Sequence, residues 1–276
     1  MLSHKVILFS ILLTCSGAFC QAYSQHKPLC SIDNSAFASG ETLTYVLSYN
    51  WFFIWTDVGE ATFSVTNDVK FDQNALHLHT LGKSYPFYDW FFKVRDVYES
   101  WVNPQSLRPI YFNRDINEGG YTKENEYVFN WEKGIVNARI RRKKGANKFY
   151  DIEVKPCTYD VVTAIYVARN INFGNLQKGQ SVPIDVILDR EVYNVNYRFV
   201  GREQKHVKGL GTLSTLKFRV ELIAGDVFKK GQYLFVWVSN DANRIPVFIE
   251  SPIRVGSVKA RLATYSGLKH ELGPIR

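Results

Sequence analysis

After residue 40 the chain alternates between apolar and polar positions. Leu43, Tyr45 and Leu47 share one face of the first run, with threonine and serine residues on the other face. Similar runs occur at 61–65, 127–131, 182–188, 193–199, 216–222 and 258–262. A period of two gives each strand one apolar and one wet face, as in an antiparallel sheet. The pattern therefore predicts a mainly β protein with a core on one side of its sheet.

One segment departs from this alternation. Over residues 158–169 the apolar residues recur at helical spacing, and Thr158 or Asp160 can cap the start. Short turns rich in Gly, Asn and Lys separate the strands. We therefore predict a strongly curved antiparallel sheet, forming an open barrel or a sandwich, with one packed α-helix. Residues 40–276 form a single domain, with sheet halves at about 40–155 and 180–265 around that helix.

The first 22 residues have a different character. A short basic start precedes an apolar run over 6–13, and small residues follow. This order is typical of a secretory signal peptide, and the run is shorter than the roughly 20 residues that span a membrane. We expect cleavage after Cys20 or Ala22, which leaves 23–39 as an N-terminal tail. A lipoprotein is disfavoured because no small residue precedes either early cysteine.

Composition narrows the class of protein. The 276 residues are 46% apolar, which is too high for a disordered chain. The 34 basic and 26 acidic residues give a charge of +8, which becomes +7 when Lys5 leaves with the signal segment. Cleavage also leaves only Cys30 and Cys157. For an exported protein this pair favours a disulfide that ties the tail to the domain, with two buried thiols as the alternative.

Motifs for catalysis are scarce. The sequence has no nucleophile elbow, zinc-protease motif, dinucleotide fingerprint or phosphate-binding loop. His77 and His79 share one face of a predicted strand, a spacing that can bind metal but also fits an ordinary strand with polar residues outside. We predict no metal and no cofactor, and we favour binding over catalysis. Acidic residues between 96 and 126 leave open a paired-carboxylate site for glycan hydrolysis.

Two aromatic clusters, at 49–55 and 85–92, do not alternate cleanly. Either both of their faces are buried, or they form an apolar rim that contacts a ligand or a membrane surface. Basic residues concentrate around one predicted hairpin, where they solvate the sheet or meet phosphate groups. The predicted ligand contacts are Trp51, Trp55, Tyr88, Trp90, Arg139 and Arg141.

Three charged residues are assigned local structural roles. Asp160 suits the start of the helix, where its carboxylate meets the positive end of the helix dipole. Asp241 and Arg244 flank the turn before Pro246, and we expect them to pair and fix that turn. A role in facing a ligand is the alternative for this pair.

An ordered set of motifs spans nearly the whole mature chain. It includes ASGETLTY at 38–45, VGEA at 58–61, YDVVTAIYVAR at 159–169 and VWVSNDANRIPV at 236–247. The set resembles the exported bacterial family called domain of unknown function 3108, in its Bacteroidetes-like form. The resemblance implies a location in the periplasm or outer envelope of a Gram-negative bacterium. It implies no catalytic residues.

These observations together predict a non-enzymatic envelope protein. We expect it to bind an amphipathic or anionic ligand, such as lipid or glycolipid, in the concave sheet. Contact with a membrane surface fits the aromatic clusters, whereas the mature sequence predicts no transmembrane helix and carries no nucleic-acid-binding motif. The alternatives are a structural or assembly factor that binds another envelope protein, and a glycan-active hydrolase.

Overall fold

The computed structural model describes residues 32–51, 54–221, 232–252 and 256–273. The predicted signal segment and Cys30, one half of the predicted disulfide, lie outside these residues. Two short α-helices are described, α1 (Asp89–Phe92) and α2 (Val161–Ala168). The strands are β1 (Thr42–Trp51), β2 (Ile54–Lys70), β3 (Gln73–Ser84), β4 (Val94–Val102), β5 (Pro109–Glu118), β6 (Tyr121–Asn130), β7 (Ile135–Arg142), β8 (Lys148–Glu153), β9 (Thr158–Tyr159), β10 (Ser181–Leu188), β11 (Glu191–Val207), β12 (Gly211–Glu221), β13 (Tyr233–Ser239), β14 (Pro246–Pro252) and β15 (Ser257–Ser266).

All described strands belong to one sheet. From one edge to the other, β8 to β1 follow each other in reverse order, and β15 to β9 continue beside β1. Neighbouring strands are antiparallel except β9 and β10, which are parallel. The two sheet halves therefore meet at β1 and β15, the first and last strands along the chain. The prediction of a mainly β protein with a curved, unclosed antiparallel sheet is confirmed.

The helices differ in detail from the prediction. Helix α2 begins at Val161 rather than near residue 158, because Thr158 and Tyr159 pair with β10 as the short strand β9. Helix α1 was not predicted, and it lies inside the second aromatic cluster between β3 and β4. Its four residues are too short for the apolar spacing that indicates a helix.

The core lies on the concave face of the sheet, around α2. Alternate residues of each strand point inward, so that Tyr127 is fully buried on β6 while its neighbour Val128 is exposed. The helix contacts β3 and β4 of the first sheet half and β10 of the second. Its buried residues, Val162 and Tyr166 among them, join the same core cluster as inward residues from both halves.

The start of α2 is fixed to β4 by Asp160. One carboxylate oxygen accepts the backbone N–H groups of Val162 and Thr163 at 3.0 and 2.9 Å. The other accepts the hydroxyls of Thr163 and of Ser100 on β4, at 2.6 and 2.8 Å. Burial raises the pKa of Asp160, and these hydrogen bonds to the carboxylate oppose that effect. The cap therefore joins the helix to the first sheet half.

The end of α2 is fixed by a buried ion pair. The Arg169 guanidinium donates to both carboxylate oxygens of Glu41, at 2.5 and 2.8 Å. It also donates to the backbone carbonyls of Asn243 and Ala36, at 3.0 and 3.3 Å. The two charged side chains are only 2% and 0% exposed. Glu41 therefore neutralises the buried charge of Arg169, and the two backbone carbonyls accept further hydrogen bonds from its guanidinium.

A turn of the second sheet half reaches across to the first. Asp189, between β10 and β11, accepts from Arg114 on β5 at 2.7 Å and from Asn125 on β6 at 3.2 Å. Its carboxylate also contacts the Lys123 ammonium, and its backbone carbonyl accepts the Tyr127 hydroxyl at 2.9 Å. These contacts hold the unclosed sheet in its curved form.

We expect Glu41→Gln to destabilise the fold strongly. The substitution leaves the Arg169 charge buried without a counter-charge, and removing one partner of a buried pair costs about 3–5 kcal/mol. Urea unfolding followed by circular dichroism measures the loss. Glu60→Gln is the control, because Glu60 pairs with Lys83 at the surface at 2.9 Å and such pairs contribute about 1 kcal/mol or less. Equal losses in the two variants would contradict the assigned role of the buried pair.

Candidate functional site

A cavity of about 330 Å³ lies on the concave face, between α2 and strands that include β1, β2 and β11 to β15. Its wall is almost entirely apolar and includes Leu47, Phe63, Tyr197, Phe218 and Val236. The volume falls within the roughly 300–1,000 Å³ of small-molecule sites. Because an apolar cavity offers water few hydrogen-bond partners, it favours an apolar occupant.

The cavity exists because small side chains face one another across it. Ala61 of β2 and Ala260 of β15 line one wall, and Ala168 of α2 lines the opposite wall. The strand alternation that buries larger residues elsewhere here places alanines at inward positions. Helix α2 is held at both ends, so it does not move inward to fill the space.

The cavity is closed at one end and opens toward the other. Along β1, Leu43 and Tyr45 are buried, whereas Leu47 is half-buried. Along β13, Val238 is buried and Leu234 is half-buried. In both strands exposure rises toward the sheet end at which the β1–β2, β3–β4, β5–β6 and β7–β8 connections lie. We call this end of the sheet the rim end.

Two cations line the cavity at its closed end, Arg169, which is paired with Glu41, and Arg244. Arg244, in the turn between β13 and β14, lines the cavity and donates to the Arg169 backbone carbonyl at 3.1 Å. Its guanidinium carbon lies 5.8 Å from the Phe173 ring centre. Among the described residues, no carboxylate lies within ion-pair distance of it. Burial lowers the pKa of Arg244, and the charge of Asp241 acts in the opposite direction.

Asp241 holds the turn that presents Arg244. One carboxylate oxygen accepts the backbone N–H groups of Asn243 and Arg244, at 2.9 and 3.1 Å, and the Ser239 hydroxyl at 2.9 Å. The other accepts the N–H of Gly273 at 2.8 Å. The turn is thus fixed through backbone donors, among them the N–H of Arg244, and the described contacts include no ion pair between the two side chains. Arg244 sits at φ 51°, a left-handed conformation, and its side chain is left to face the cavity.

Three of the residues predicted to contact a ligand lie on the outer face of the sheet, away from the cavity. Arg139 is bonded to Glu126 and Arg141 to Glu124, each through two guanidinium nitrogens. Trp55 lies under the Lys259 ammonium, which is 3.7 Å from its ring centre. The Trp51 side chain lies outside what the structure describes.

The other two predicted contacts, Tyr88 and Trp90, lie in the β3–β4 connection at the rim end. Tyr88 is half-buried and meets the Phe87 ring edge to face at 5.0 Å. Trp90 is 81% exposed, and Phe87 is 74% exposed. This cluster is therefore at the surface rather than in the core. The structure does not bring it into the wall of the cavity.

Three of the six acidic residues that the sequence left open to a hydrolytic role have a basic partner. Glu124 and Glu126 are paired with arginines, and Glu99 bonds to His77 at 3.1 Å. Asp96 and Glu118, on the inner faces of β4 and β5, form a hydrogen-bonded acidic pair. Burial, with a smaller contribution from Glu118, raises the pKa of Asp96 to about 6, while the Asn117 N–H opposes it. This pair does not line the cavity.

The two histidines belong to a packed outer surface. The His77 ring stacks on Trp101 at 4.2 Å, and His79 meets His77 at 6.0 Å. Burial lowers the pKa of His77, although Glu99 acts to raise it. Over the described part of the chain, no group of three His, Cys, Asp or Glu residues is placed to hold a metal ion.

Residues 44–263 match the family described as Protein of unknown function (DUF3108). The chain belongs to the DUF3108 family. The DUF3108 match runs from β1 into β15 and so includes α2 and the cavity. No curated protein matches the chain. None of the described helices has the length and hydrophobicity that crossing a membrane requires.

A solved structure shares the fold of this DUF3108 chain. It is titled "Crystal Structure of Beta-barrel-like Protein of Domain of Unknown Function DUF1849 from Brucella abortus". The TM-score is 0.54 at 8% identity, over 82% of this chain and 96% of that chain. At that identity the likeness concerns the fold alone.

Sequence reasoning missed the buried ion pair that holds α2 beside the cavity in this DUF3108 protein, although it gave facing a ligand as an alternative role for Arg244. Arg169 was placed only at the end of a helix, and Glu41 was named only within the motif at 38–45. A charged residue at the core-facing end of an otherwise apolar helix is a signal for a buried partner. Nothing in the sequence identifies that partner, which lies 128 positions away.

We expect the stability contribution of Asp96 to fall as the pH rises. Its folded pKa of about 6 lies above the ordinary value of 3.8, so the folded state binds this proton more tightly than the unfolded state does. The resulting stability is fully present below about pH 4. That contribution is lost as the pH rises through about 6. The free energy of unfolding of the wild type, minus that of Asp96→Asn, should decrease across this window in urea titrations.

Asp115→Asn is the control for this measurement, because Asp115 lies exposed on the same strand pair. Its stability should run parallel to the wild type over the same pH range. A constant difference between the wild type and Asp96→Asn would contradict the assignment.

Proposed function

We propose that this protein is exported to the envelope of a Gram-negative bacterium and binds an anionic amphiphile, such as a lipid, in the cavity beside α2. The proposal rests on an apolar cavity of about 330 Å³ with the Arg244 guanidinium at its closed end, where no described carboxylate pairs with it. The signal-like first 22 residues support export. We propose no catalytic step for this site.

The size and lining of the cavity suit a hydrocarbon chain. A dry cavity of about 150 Å³ with aliphatic and aromatic walls is enough for benzene, and this one is roughly twice as large. Each buried methylene contributes about 0.8 kcal/mol, so affinity should increase with chain length until the cavity is full. Aliphatic and aromatic side chains also accept chains of varied shape, because dispersion contacts have little directionality.

The head group is selected by Arg244. A guanidinium presents several N–H donors in one plane, and this geometry matches the oxygens of a carboxylate or phosphate. The guanidinium gives one hydrogen bond to a described acceptor, the Arg169 carbonyl. An anionic head group would supply the counter-charge that the described surroundings of Arg244 lack.

A second candidate, an assembly factor, is supported by the sheet edge. Strand β8 pairs with β7 at one edge of the sheet, no other described strand pairs with it, and Phe149 on it is 72% exposed. Such an edge can accept a strand from another protein. Lys148 at the start of β8 works against that, because edge lysines discourage strand addition. The cavity gives amphiphile binding the better support.

We expect Val236→Phe to weaken binding of decanoate about tenfold or more. Val236 lines the cavity, and a phenyl ring there displaces methylenes that each contribute about 0.8 kcal/mol. Isothermal titration calorimetry measures the affinity. Val128→Phe makes the same change on the outer face of β6 and should leave binding unchanged. Equal affinity in the two variants would place the ligand elsewhere.

We expect Arg244→Gln to lower the affinity for decanoate roughly 10- to 100-fold, because a hydrogen bond to a charged group contributes about 1.5–3 kcal/mol. Binding of decanol, which has no charge, should change little. Arg219→Gln is the control, since Arg219 lies over the Tyr233 ring, away from the cavity. A parallel loss for acid and alcohol would show that Arg244 supports the wall and does not read the head group.

A further inference from the structure

The connection between β3 and β4 exposes an unusual amount of aromatic surface. We call residues 86–92 the aromatic loop. Within it Phe87, Trp90, Phe91 and Phe92 are 74%, 81%, 64% and 51% exposed. Scattered exposed apolar residues are ordinary, but four large rings in seven residues form a continuous patch that marks an interaction surface.

The fold holds the aromatic loop in place. Asp89 accepts the Ser84 hydroxyl at 2.5 Å and pairs with two nitrogens of Arg95, at 3.2 and 2.6 Å. The Ser84 hydroxyl in turn accepts the Val94 N–H at 3.0 Å. These hydrogen bonds therefore hold the backbone that carries the exposed rings in place. Hydrogen bonds from Ser84 and Arg95 lower the pKa of Asp89, and its charge is compensated.

A neighbouring connection leaves room for one of the rings. Gly119, between β5 and β6, lies against Phe92, and a Cβ atom at that glycine would be only 2.6 Å from the ring. Gly119 also has φ 57°, a conformation that favours glycine. The packing of Phe92 against Gly119 thus joins two connections of the rim end, β3–β4 and β5–β6.

The rim end also carries uncompensated positive charge. In an antiparallel meander alternate connections lie at the same end, so the β7–β8 turn shares this end with the aromatic loop. Arg142, Lys143 and Lys144 in that turn are exposed, as is Lys93 beside the loop. No described carboxylate lies within ion-pair distance of any of the four. Of the nearby acids, Asp89 and Glu60 are paired with Arg95 and Lys83, whereas Glu118, beside Gly119, is hydrogen-bonded to Asp96 on the inner face.

We propose that the rim end docks on an anionic lipid surface. Aromatic rings favour the boundary between head groups and acyl chains, and lysine and arginine are attracted to anionic head groups. The described part of the rim end offers both. The exposed rings lie in the β3–β4 connection with Lys93 beside them, and the other exposed cations lie at the β7–β8 turn. The cavity opens toward the same end, but the docking surface does not depend on what the cavity binds.

The test is co-sedimentation of the mature chain with vesicles. We expect binding to vesicles of equal parts phosphatidylcholine and phosphatidylglycerol, weaker binding to phosphatidylcholine alone, and a decline with added salt. The double variant Trp90→Ser, Phe91→Ser should bind the anionic vesicles about tenfold or more weakly. Both rings are exposed, so its unfolding midpoint should equal that of the wild type.

Two control variants test whether binding depends on where the substituted ring or charge lies, rather than on its loss alone. Phe71→Ser removes a 54% exposed ring at the opposite sheet end and should bind like the wild type. Lys143→Gln with Lys144→Gln should weaken binding to anionic vesicles alone, whereas Lys133→Gln, in the β6–β7 turn at the opposite end, should not.

Wild-type affinity in the Trp90, Phe91 variant would overturn the proposal. Failure of the wild type to bind either vesicle, with binding to a purified envelope protein instead, would also overturn it and assign the patch to a protein partner. Loss of decanoate binding in Val236→Phe with vesicle binding intact would show that the two surfaces act separately.

Discussion

The buried ion pair between Arg169 and Glu41 is the constraint on which the rest of the structure depends. Two charges taken out of water are tolerated because they neutralise each other and the guanidinium donates four hydrogen bonds, two to Glu41 and two to backbone carbonyls. Helix α2 has eight residues, which is too few for a helix that is stable alone. It persists because Arg169 fixes its end to Glu41, directly before β1, and Asp160 fixes its start to β4.

With α2 held at both ends, the two sides of the concave face are filled differently. On the side of the first sheet half, inward apolar residues fill the core, and Arg114 and Lys123 meet Asp189 from the second half. On the side of β1 and β11 to β15, the helix faces alanines and larger apolar residues across open space. The same helix thus borders a filled core on one side and a partly empty apolar cavity on the other.

Charge compensation distinguishes the functional candidates from the structural ones. Arg139 and Arg141 have carboxylate partners on the outer face, as does Arg169 in the core. Arg244 at the cavity and the basic β7–β8 turn do not have such partners within the described residues. Both uncompensated sites border apolar surface, a combination that suits an amphiphile at the cavity and a lipid surface at the rim end. A route between membrane and cavity would then be short, since the cavity opens toward that rim.

The sequence alone determined the strand class, the position of the main helix and the capping role open to Asp160, because period and capping are local properties. It did not determine that β1 pairs with β15, which joins chain ends more than 200 positions apart. Alternation tells which residues share a face but not which strands that face will meet. Arg139 and Arg141 were therefore predicted near a ligand and lie on the outer face, while the tertiary structure alone brought Glu41 to Arg169 and left Arg244 beside the cavity. Long-range pairing and the burial of charge depend on the whole sheet, and no segment encodes them by itself.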